Sequence, residues 1–414
     1  LFHVFSLGVG TVATPSSQVE ASPPRRAALH DNDPEIVFLG TGSAIPSKYR
    51  NVTGILVRTA SGSILLDAGE ATFQQLVRHF SSGPGPKDDL ARFMRDLKMI
   101  WISHKHADHH LGLGLLLAMR PSDCPPLAII CPAPIISWLA EISMVDKRLA
   151  GRFFCVPCAH TARSFPPPGY NRNPNALQRR RLANQVPLTS GQLGHTMAVL
   201  GLSDLESVSV NHCHLAFGLV MKHSSGWTLV YSGDTRPDQR LWTVGRGADV
   251  LIHEATFDSD MVEDARAKRH STVAEAILVG KNMAARHVIL THFSQRYPKL
   301  PSLSHGGGAM VAAAPAPAAP GSTGGVESML GAGVGGGGAA AAEMPMPVPS
   351  AAEKSNNDDD NNNVTVAFDF MSVRLSELAW APALLPGLQL LYPEAEKEGE
   401  DDEDAGGEIA AEEI

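Results

Sequence analysis

Residues 103–110 place several side chains that can bind metal within one short turn. Four of them, His104, His106, Asp108 and His109, directly follow an apolar run that is typical of a strand. A single histidine is more often a packed or surface residue, but this spacing has no good packing explanation. A turn at this point lets His104 and His106 face one way while Asp108 and His109 face the other. We therefore predict that one loop serves two metal ions.

Two metal ions need more ligands, and three further residues lie at the ends of predicted strands: His212, Asp234 and His292. Each residue alone is better explained as a capping aspartate or a buried histidine, but together with residues 103–110 they predict a two-metal centre. Imidazole and carboxylate ligands suit zinc at ~2.0–2.2 Å, and manganese or iron would accept the same set. The chemistry expected of such a centre is hydrolysis, because paired metal ions activate water and clamp anionic oxygens.

The elements that position these residues alternate between strand-like and helix-like patterns. Helices are predicted after residue 70 through Phe80 and at 110–119, 135–142 and 271–285, and order resumes at 364–374. This strand, loop, helix order occurs twice and predicts two αβ halves. The predicted strands are residues 36–39, 55–57, 63–66, 99–102, 127–131, 208–210, 217–221, 228–231, 250–253 and 287–290.

Composition divides the chain into four parts. Residues 34–300 and 364–392 have the apolar content of a folded catalytic domain. We expect residues 1–33 to be a disordered linker or the remnant of an upstream region, 301–363 a low-complexity disordered insertion, and 393–414 an acidic disordered tail. Because the first residue is Leu rather than Met, we expect a fragment or processed form, so the sequence does not indicate a compartment.

The net charge of −9 does not exclude an anionic substrate, because most of it lies in the tail. Residues 394–414 contain eleven acidic residues and one lysine and sum to −10, so residues 1–393 carry the difference, +1. The arginines at 179–181 are predicted to form a solvated loop rather than a nucleic-acid patch. No apolar run approaches the ~20 residues of a membrane-spanning helix, so no membrane role is expected.

The five cysteines do not predict a disulfide framework, because their number is odd and they are scattered. Cys155 and Cys158, with His160 nearby, have the spacing of half a zinc ribbon or of a redox pair. The second half of a zinc ribbon is absent from the sequence, so we expect ordinary reduced thiols.

The motif His-x-His-x-Asp-His, followed by a histidine, Gly-Asp-Thr and a final histidine, resembles the metallo-β-lactamase superfamily. The resemblance implies an α/β fold, an αββα four-layer sandwich. It also implies that Asp234 bridges two zinc ions. His212 is the preferred ligand, because Ala216-Phe217-Gly218 fits the family's offset, and His214 is the alternative. The implied ligand sets are His104, His106, His212 and Asp234 for one zinc, and Asp108, His109, Asp234 and His292 for the other.

Four further motifs resemble the ribonuclease Z family, in particular the catalytic half of its long form. They are the glycine turn and Pro-x-Lys-x-Arg loop within residues 40–51, His-Glu-Ala-Thr at 253–256, His-Ser-Thr at 270–272, and Ala-Phe-Asp at 367–369. The resemblance covers roughly residues 34–300 and 364–392. The departures are Lys105, where the family often has an apolar residue, the insertion, and the missing N-terminal half.

This resemblance implies a zinc-dependent endoribonuclease that removes the 3′ trailer of precursor tRNA and leaves a 3′-hydroxyl on the tRNA. Asp67, at a strand end, would orient or deprotonate the attacking water. His270 would donate a proton to the leaving oxygen, with Glu254 holding its ring and raising its pKa. Lys48 and Arg50 would contact phosphate and the tRNA end.

The implied partners are precursor tRNA and either a second copy of the chain, as a homodimer, or the N-terminal half of a longer protein. The implied compartments are the nucleus, the mitochondrion or the chloroplast. Two alternatives stay open: another hydrolase of this fold acting on a thioester, a cyclic nucleotide or a small phosphodiester, and a non-catalytic RNA-binding module. A zinc count on the purified protein distinguishes the non-catalytic module from an enzyme. Cleavage of a precursor tRNA distinguishes a ribonuclease Z from the other hydrolases of this fold.

Deletion of residues 304–360 tests the predicted insertion. We expect melting temperature and hydrolysis to stay nearly unchanged, because a Gly/Ala/Pro/Asn segment buries little and each twofold change of loop length costs only ~0.6 kcal/mol. Thermal denaturation of the wild-type chain and of the deletion variant measures the difference in melting temperature. A large fall in melting temperature would show that the segment is part of the folded domain.

Overall fold

A computed structural model describes residues 28–81, 89–168, 190–295, 363–385 and 387. These residues belong to one of two units of the chain, residues 1–304 with 361–414, and the other unit is residues 305–360. Several predicted features lie outside the described residues. They are the linker up to residue 27, the arginines at 179–181, the insertion from 301 to 362, the domain's last residues from 388, and the acidic tail from 393 to 414.

The first sheet has seven strands in the order β13-β1-β2-β3-β4-β5-β6. Neighbours from β13 to β3 pair antiparallel, whereas β3, β4, β5 and β6 are parallel. The parallel strands therefore end at one edge of the sheet. The strands are β1 (Glu35–Gly40), β2 (Gly54–Arg58), β3 (Ser63–Leu66), β4 (Leu97–Trp101), β5 (Leu127–Cys131), β6 (Phe153–Pro157) and β13 (Ser372–Arg374).

The second sheet has six strands in the order β12-β11-β10-β9-β8-β7. Strands β7, β8 and β9 are antiparallel, and β9, β10, β11 and β12 are parallel. The strands are β7 (Leu202–Ser209), β8 (Phe217–His223), β9 (Thr228–Tyr231), β10 (Val250–Glu254), β11 (His287–Thr291) and β12 (Val364–Val366).

Helices lie against the outer face of each sheet. Apolar residues of both sheets form a core between them, including Trp101 and Tyr231, and a separate core lies under the helices of each outer layer. This arrangement confirms the predicted αββα sandwich. The helices are α1 (Thr72–Ser81), α2 (Asp89–Asp96), α3 (Ala107–His110), α4 (Leu113–Met119), α5 (Ala133–Val145), α6 (Cys158–Thr161), α7 (Ser190–Val199), α8 (Gln239–Val244), α9 (Val262–Ala267) and α10 (Val273–Met283).

Each predicted strand and helix corresponds to an observed element, with boundaries that differ by a few residues. The predicted helix at 110–119 begins later than expected, because His110 is the last residue of α3 and α4 runs from Leu113 to Met119. Helices α2, α6, α7, α8 and α9 and strand β6 were not predicted. None of the described helices is long and apolar enough to span a membrane.

The break between α3 and α4 follows from a close backbone approach to the loop after β3. The amide of Ala68 donates to the carbonyl of His109 at 2.8 Å, and the amide of Gly112 donates to the carbonyl of Ala68 at 2.9 Å. A Cβ on Gly112 would overlap the carbonyl oxygen of Gly69, so only glycine fits here. This contact fixes the height of the histidine-rich turn above the first sheet.

We expect Gly112→Ala to lower the free energy of unfolding by ~1–3 kcal/mol or more, because the new methyl group forces two backbone segments apart. Gly114→Ala is the matched control on the same helix. Its Cβ would meet only the Ile142 Cδ1 at 3.6 Å, an ordinary contact, so it should raise stability by up to ~1 kcal/mol. Urea denaturation of both variants measures the two effects. Equal effects would disprove the steric explanation.

Candidate metal centre

The seven predicted ligands come together at the carboxyl ends of the strands. His104 follows β4, His212 follows β7, Asp234 follows β9, and His292 follows β11. Because the carboxyl ends of parallel strands meet at one edge, side chains distant in sequence become neighbours there. All but the more exposed His106 are buried, and the structure groups them as His104, His106, His212 and Asp234, and as Asp108, His109 and His292.

The first group surrounds a point that one metal ion could occupy. The His106 Nδ1 lies 3.0 Å from the His104 Nε2 and 3.1 Å from the His212 Nε2. The Oδ2 of Asp234 is 3.5 Å from the same His104 nitrogen and 3.8 Å from that of His212. Ligand atoms ~2.0 Å from a tetrahedral zinc stand ~3.3 Å apart, so these spacings fit such an ion.

The second group has the same spacing. The Nε2 atoms of His109 and His292 are 3.2 Å apart, and the Oδ2 of Asp108 lies 3.5 Å and 3.4 Å from them. Asp234 reaches this group as well, with Oδ2 3.3 Å from His109 and Oδ1 3.4 Å from His292. One carboxylate therefore contacts both groups, which is the geometry expected of a bridging ligand.

Two further observations agree with a cation at this place. Among the described residues, the buried Oδ1 of Asp234 has no hydrogen-bond partner, and a buried carboxylate oxygen without a donor is costly unless a cation neutralises it. In His104, His109, His212 and His292, the Nδ1 atom contacts the rest of the protein and the Nε2 atom faces the other ligands. The residues therefore fit a divalent metal centre.

Four of the five ligand histidines, His104 among them, are oriented through the Nδ1 atom, which contacts the rest of the protein. The Nδ1 of His109 donates to Asp67 at 2.7 Å, and the Nδ1 of His212 donates to the carbonyl of Arg269 at 2.9 Å. The Nδ1 of His292 lies 2.9 Å from the Thr256 hydroxyl. Such contacts fix the tautomer and turn the Nε2 toward the metal position.

The contacts of Asp67 differ from its predicted role at the attacking water. Its side chain is fully buried and accepts hydrogen bonds from the Ser103 amide and hydroxyl, the Tyr231 hydroxyl and the His109 ring. These donors occupy both oxygens, so the geometry favours orientation of His109 over deprotonation of water. Tyr231 and Ser103 were not predicted, because neither their type nor their spacing distinguishes them from core residues.

His270 and Glu254 form the predicted pair beside the metal ligands. The Nδ1 of His270 donates to the Glu254 Oε1 at 2.9 Å, and the His270 ring lies 4.8 Å from the His212 ring, centroid to centroid. Glu254 is 1% exposed and is held by the Thr235 amide at 2.6 Å and the Ser271 amide at 3.1 Å. The carboxylate is therefore rigid and can orient the ring.

An unpredicted residue, Arg236, supports the backbone of His270. It donates to the His270 carbonyl at 2.6 Å and forms a two-contact ion pair with Glu275. Glu275 also closes the capping box of α10 with Thr272. Arg236 directly follows Gly-Asp-Thr, and that adjacency was the only sequence signal for it.

Burial and charge act in opposite directions on the ionisable groups. Burial lowers the pKa of His104 and lowers that of His106 to about 4, so both rings are neutral and able to bind metal at neutral pH. Burial alone would also lower the pKa of His270, but the Glu254 carboxylate raises it to about 9. His270 is therefore protonated where His104 and His106 are not.

The loop between β1 and β2 contacts the metal ligands. The amide of Ala44 donates to the Asp108 Oδ2 at 2.8 Å. Lys48 is exposed, as expected of a phosphate contact. Arg50 is only 6% exposed, and its guanidinium donates to the Thr41 hydroxyl at 2.6 Å and the Ala367 carbonyl at 3.0 Å. The predicted contact of Arg50 with RNA is therefore not favoured, since its charged group holds the loop from inside.

Three other predicted residues lie outside the centre. His214 is exposed and belongs to neither ligand group. Cys155 and Cys158 are buried free thiols, the first in the middle of β6 and the second at the start of α6, and burial raises the pKa of Cys158. Within the described residues neither cysteine belongs to a possible metal group.

Comparison with known proteins identifies relatives over most of the described chain. Residues 63–293 match the Beta-lactamase superfamily domain. The chain is 41% identical over 284 residues to "Ribonuclease Z, mitochondrial" of Drosophila melanogaster and 37% identical over 291 residues to "Zinc phosphodiesterase ELAC protein 2" of Rattus norvegicus. These matches cover 66% and 68% of this chain but 33% and 32% of the relatives, so the chain spans about a third of their length.

A solved structure agrees with the fold. The crystal structure of a long form RNase Z from yeast aligns with a TM-score of 0.64 and 28% sequence identity, covering 88% of this chain and 44% of that one. The likeness therefore extends over the sandwich and the metal centre.

His109→Ala should lower the amount of divalent metal bound per chain, because it removes a nitrogen that lies within 3.2–3.5 Å of three other ligand atoms. His110→Ala is the matched control. That ring donates to the His106 carbonyl at 2.9 Å and packs on Trp138, so its loss should lower the melting temperature and leave metal content intact. Elemental analysis of purified chains measures both. Wild-type metal content in the His109 variant would exclude this ligand.

Proposed function

Since the chain belongs to the β-lactamase superfamily, we propose that it is a zinc-dependent endoribonuclease that removes the 3′ trailer of precursor tRNA and leaves a 3′-hydroxyl on the tRNA. The observation that carries the proposal is the His270–Glu254 pair beside two groups of metal ligands. Relatives named ribonuclease Z, zinc phosphodiesterase and tRNase Z support the substrate. Because the chain spans about a third of the length of those relatives, we propose their activity for this chain.

We propose two zinc ions per chain, one bound by His104, His106, His212 and Asp234 and one by Asp108, His109, His292 and Asp234. Bound metal would supply an activated water and neutralise charge on the phosphate. The neutral rings of His104 and His106 support this assignment, since zinc binds unprotonated imidazole.

The protein's own contribution is to orient groups and move a proton. Glu254 holds the His270 ring through Nδ1, so Nε2 is the nitrogen that would pass a proton to the 3′-oxygen as the bond between phosphorus and that oxygen breaks. Water supplies the oxygen that forms the new bond to phosphorus, which leaves a phosphate on the trailer. Asp67 acts through His109, and Lys48 is placed to contact a backbone phosphate.

Two relatives carry "mitochondrial" in their names, which supports a mitochondrial site of action for this chain. Action in the nucleus or chloroplast, a homodimer and a separate N-terminal half stay predictions. Incubation of the zinc-loaded chain with a precursor tRNA bearing a 3′ trailer tests the proposal. Mapping both product ends should give a 3′-hydroxyl on the tRNA, and no cleavage would contradict the proposal.

Exchange of His270 tests proton donation. His270→Ala should lower the rate on precursor tRNA by the ~10²–10⁴ typical of general acid catalysis, with zinc content unchanged. Glu254→Ala added to it should cost little more, because the two residues act as one unit. A nitrophenyl phosphodiester has a leaving group that needs no proton, so the rate of its hydrolysis should be far less sensitive to His270→Ala.

The pH profile gives a second measurement. A general acid works only while protonated, so the wild-type rate on precursor tRNA should fall as pH rises through the pKa of His270. That pKa is about 9, and bound metal cations would lower it. That alkaline limb should disappear in His270→Ala. Equal losses on both substrates, or zinc loss in the variant, would assign His270 to the metal group that it shares with Asp234 and His292.

A further inference from the structure

The loop between β1 and β2 exposes two large apolar side chains next to a cation. Tyr49 is 51% exposed and Ile45 is 59% exposed, and Lys48 between them is exposed as well. An exposed aromatic ring beside a cation is the usual composition of a surface that binds single-stranded nucleic acid.

The exposure does not result from a loose loop. The amide of Ser47 donates to the Arg50 carbonyl at 2.8 Å, and the Arg50 amide returns a bond to the Ser47 hydroxyl at 3.1 Å. These two bonds close a turn around Lys48 and Tyr49. The buried guanidinium of Arg50 lies 4.6 Å from the centre of the Phe293 ring and anchors the turn from below. The aromatic ring is therefore presented to solvent on a fixed support.

The same loop is attached to the metal centre at its other end. Ala44 donates to the metal ligand Asp108, and the amide of Ser43 donates to the carbonyl of Phe293, the residue after His292, at 3.1 Å. Ala44 and Tyr49 are five positions apart, which limits the distance between their Cα atoms to ~18 Å at full extension, and the closed turn shortens it. Tyr49 is thus within reach of a nucleotide next to the reacting phosphate.

We infer that Tyr49 is a stacking platform for an unpaired nucleobase that flanks the phosphodiester to be cleaved. The Lys48 ammonium lies over the Tyr49 ring, 5.1 Å from its centroid, and 51% of Tyr49 is still exposed, which leaves ring surface for a base. A cation in that position also suits the phosphate that accompanies the base. This inference rests on the proposed function and adds a contact that is independent of base identity, because every base has a π-face.

Kinetics of Tyr49 variants test the inference. A base stacked on an aromatic ring contributes ~1–3 kcal/mol, so Tyr49→Ala should raise KM for precursor tRNA by ~5- to ~150-fold while kcat changes little. Tyr49→Phe keeps the ring and should stay near wild type. Hydrolysis of a nitrophenyl phosphodiester, which carries no base, should stay near the wild-type rate in Tyr49→Ala.

Trp380→Ala is the matched control, because Trp380 is 75% exposed and thus also an exposed aromatic ring. Its neighbour Ala379 lines a cleft with His287, the first residue of β11. The metal ligand His292 follows the opposite end of that strand. Removal of the Trp380 ring should leave cleavage of precursor tRNA unchanged. An equal loss in Trp380→Ala and Tyr49→Ala would overturn the inference.

Direct stacking is measured with 2-aminopurine substituted for the unpaired base on either side of the cleaved bond, with His270→Ala as the slowly cleaving background. Binding should quench the fluorescence at one of the two positions, and the quenching should be lost with Tyr49→Ala and kept with Tyr49→Phe. Cleavage by the wild type together with insensitivity to Tyr49→Ala would overturn the stacking role alone. No cleavage by the wild type would overturn the proposed function and this inference with it.

Discussion

A carboxylate buried among imidazoles is the interaction on which the rest of the site depends. Burial alone would raise the pKa of Asp234, but His109, His292 and His104 hold it well below its ordinary range. Burial would likewise lower the pKa of His109, yet Asp234, Asp108 and Asp67 raise it. These groups stabilise one another only as a set, because a buried charge without a partner costs several kcal/mol. A divalent cation would take over the role that the proton on His109 plays, so metal binding must release protons.

The backbone adopts unusual conformations to bring these charges together. Asp67, Arg269 and His292 have φ values of 58°, 56° and 59°, in the left-handed region that residues other than glycine rarely occupy. Two of these residues immediately follow strands β3 and β11, so the chain turns sharply where a strand ends. Each such residue stores ~1–3 kcal/mol of strain, and buried hydrogen bonds to Ser103, His212 and Thr256 hold them in place.

The metal ligands and most strands could be predicted because their signals are local. The histidine-rich turn follows an apolar run directly, and buried strands such as Ser63–Leu66 are continuous apolar segments. Helix α2 (Asp89–Asp96) was missed because only Phe93 and Met94 are buried among polar residues. The burial of Arg50 and the bonding of Asp67 depend on partners as distant as Ala367 and Tyr231. No periodicity within one segment carries that information.

Asp369, in the described segment 363–385, explains why two cations in one loop behave differently. Asp369 accepts hydrogen bonds from the Thr41 amide at 3.0 Å and the Asn51 amide at 2.7 Å, one at each end of the loop between β1 and β2. Burial raises its pKa to about 6 although these donors oppose the shift. The neighbouring guanidinium of Arg50 compensates the carboxylate that forms above that pH. The Arg50 guanidinium is therefore buried beside Asp369, whereas the Lys48 ammonium lies on the surface. Because Asp369 closes the base of this loop, residues 363–385 determine where the loop between β1 and β2 meets Asp108.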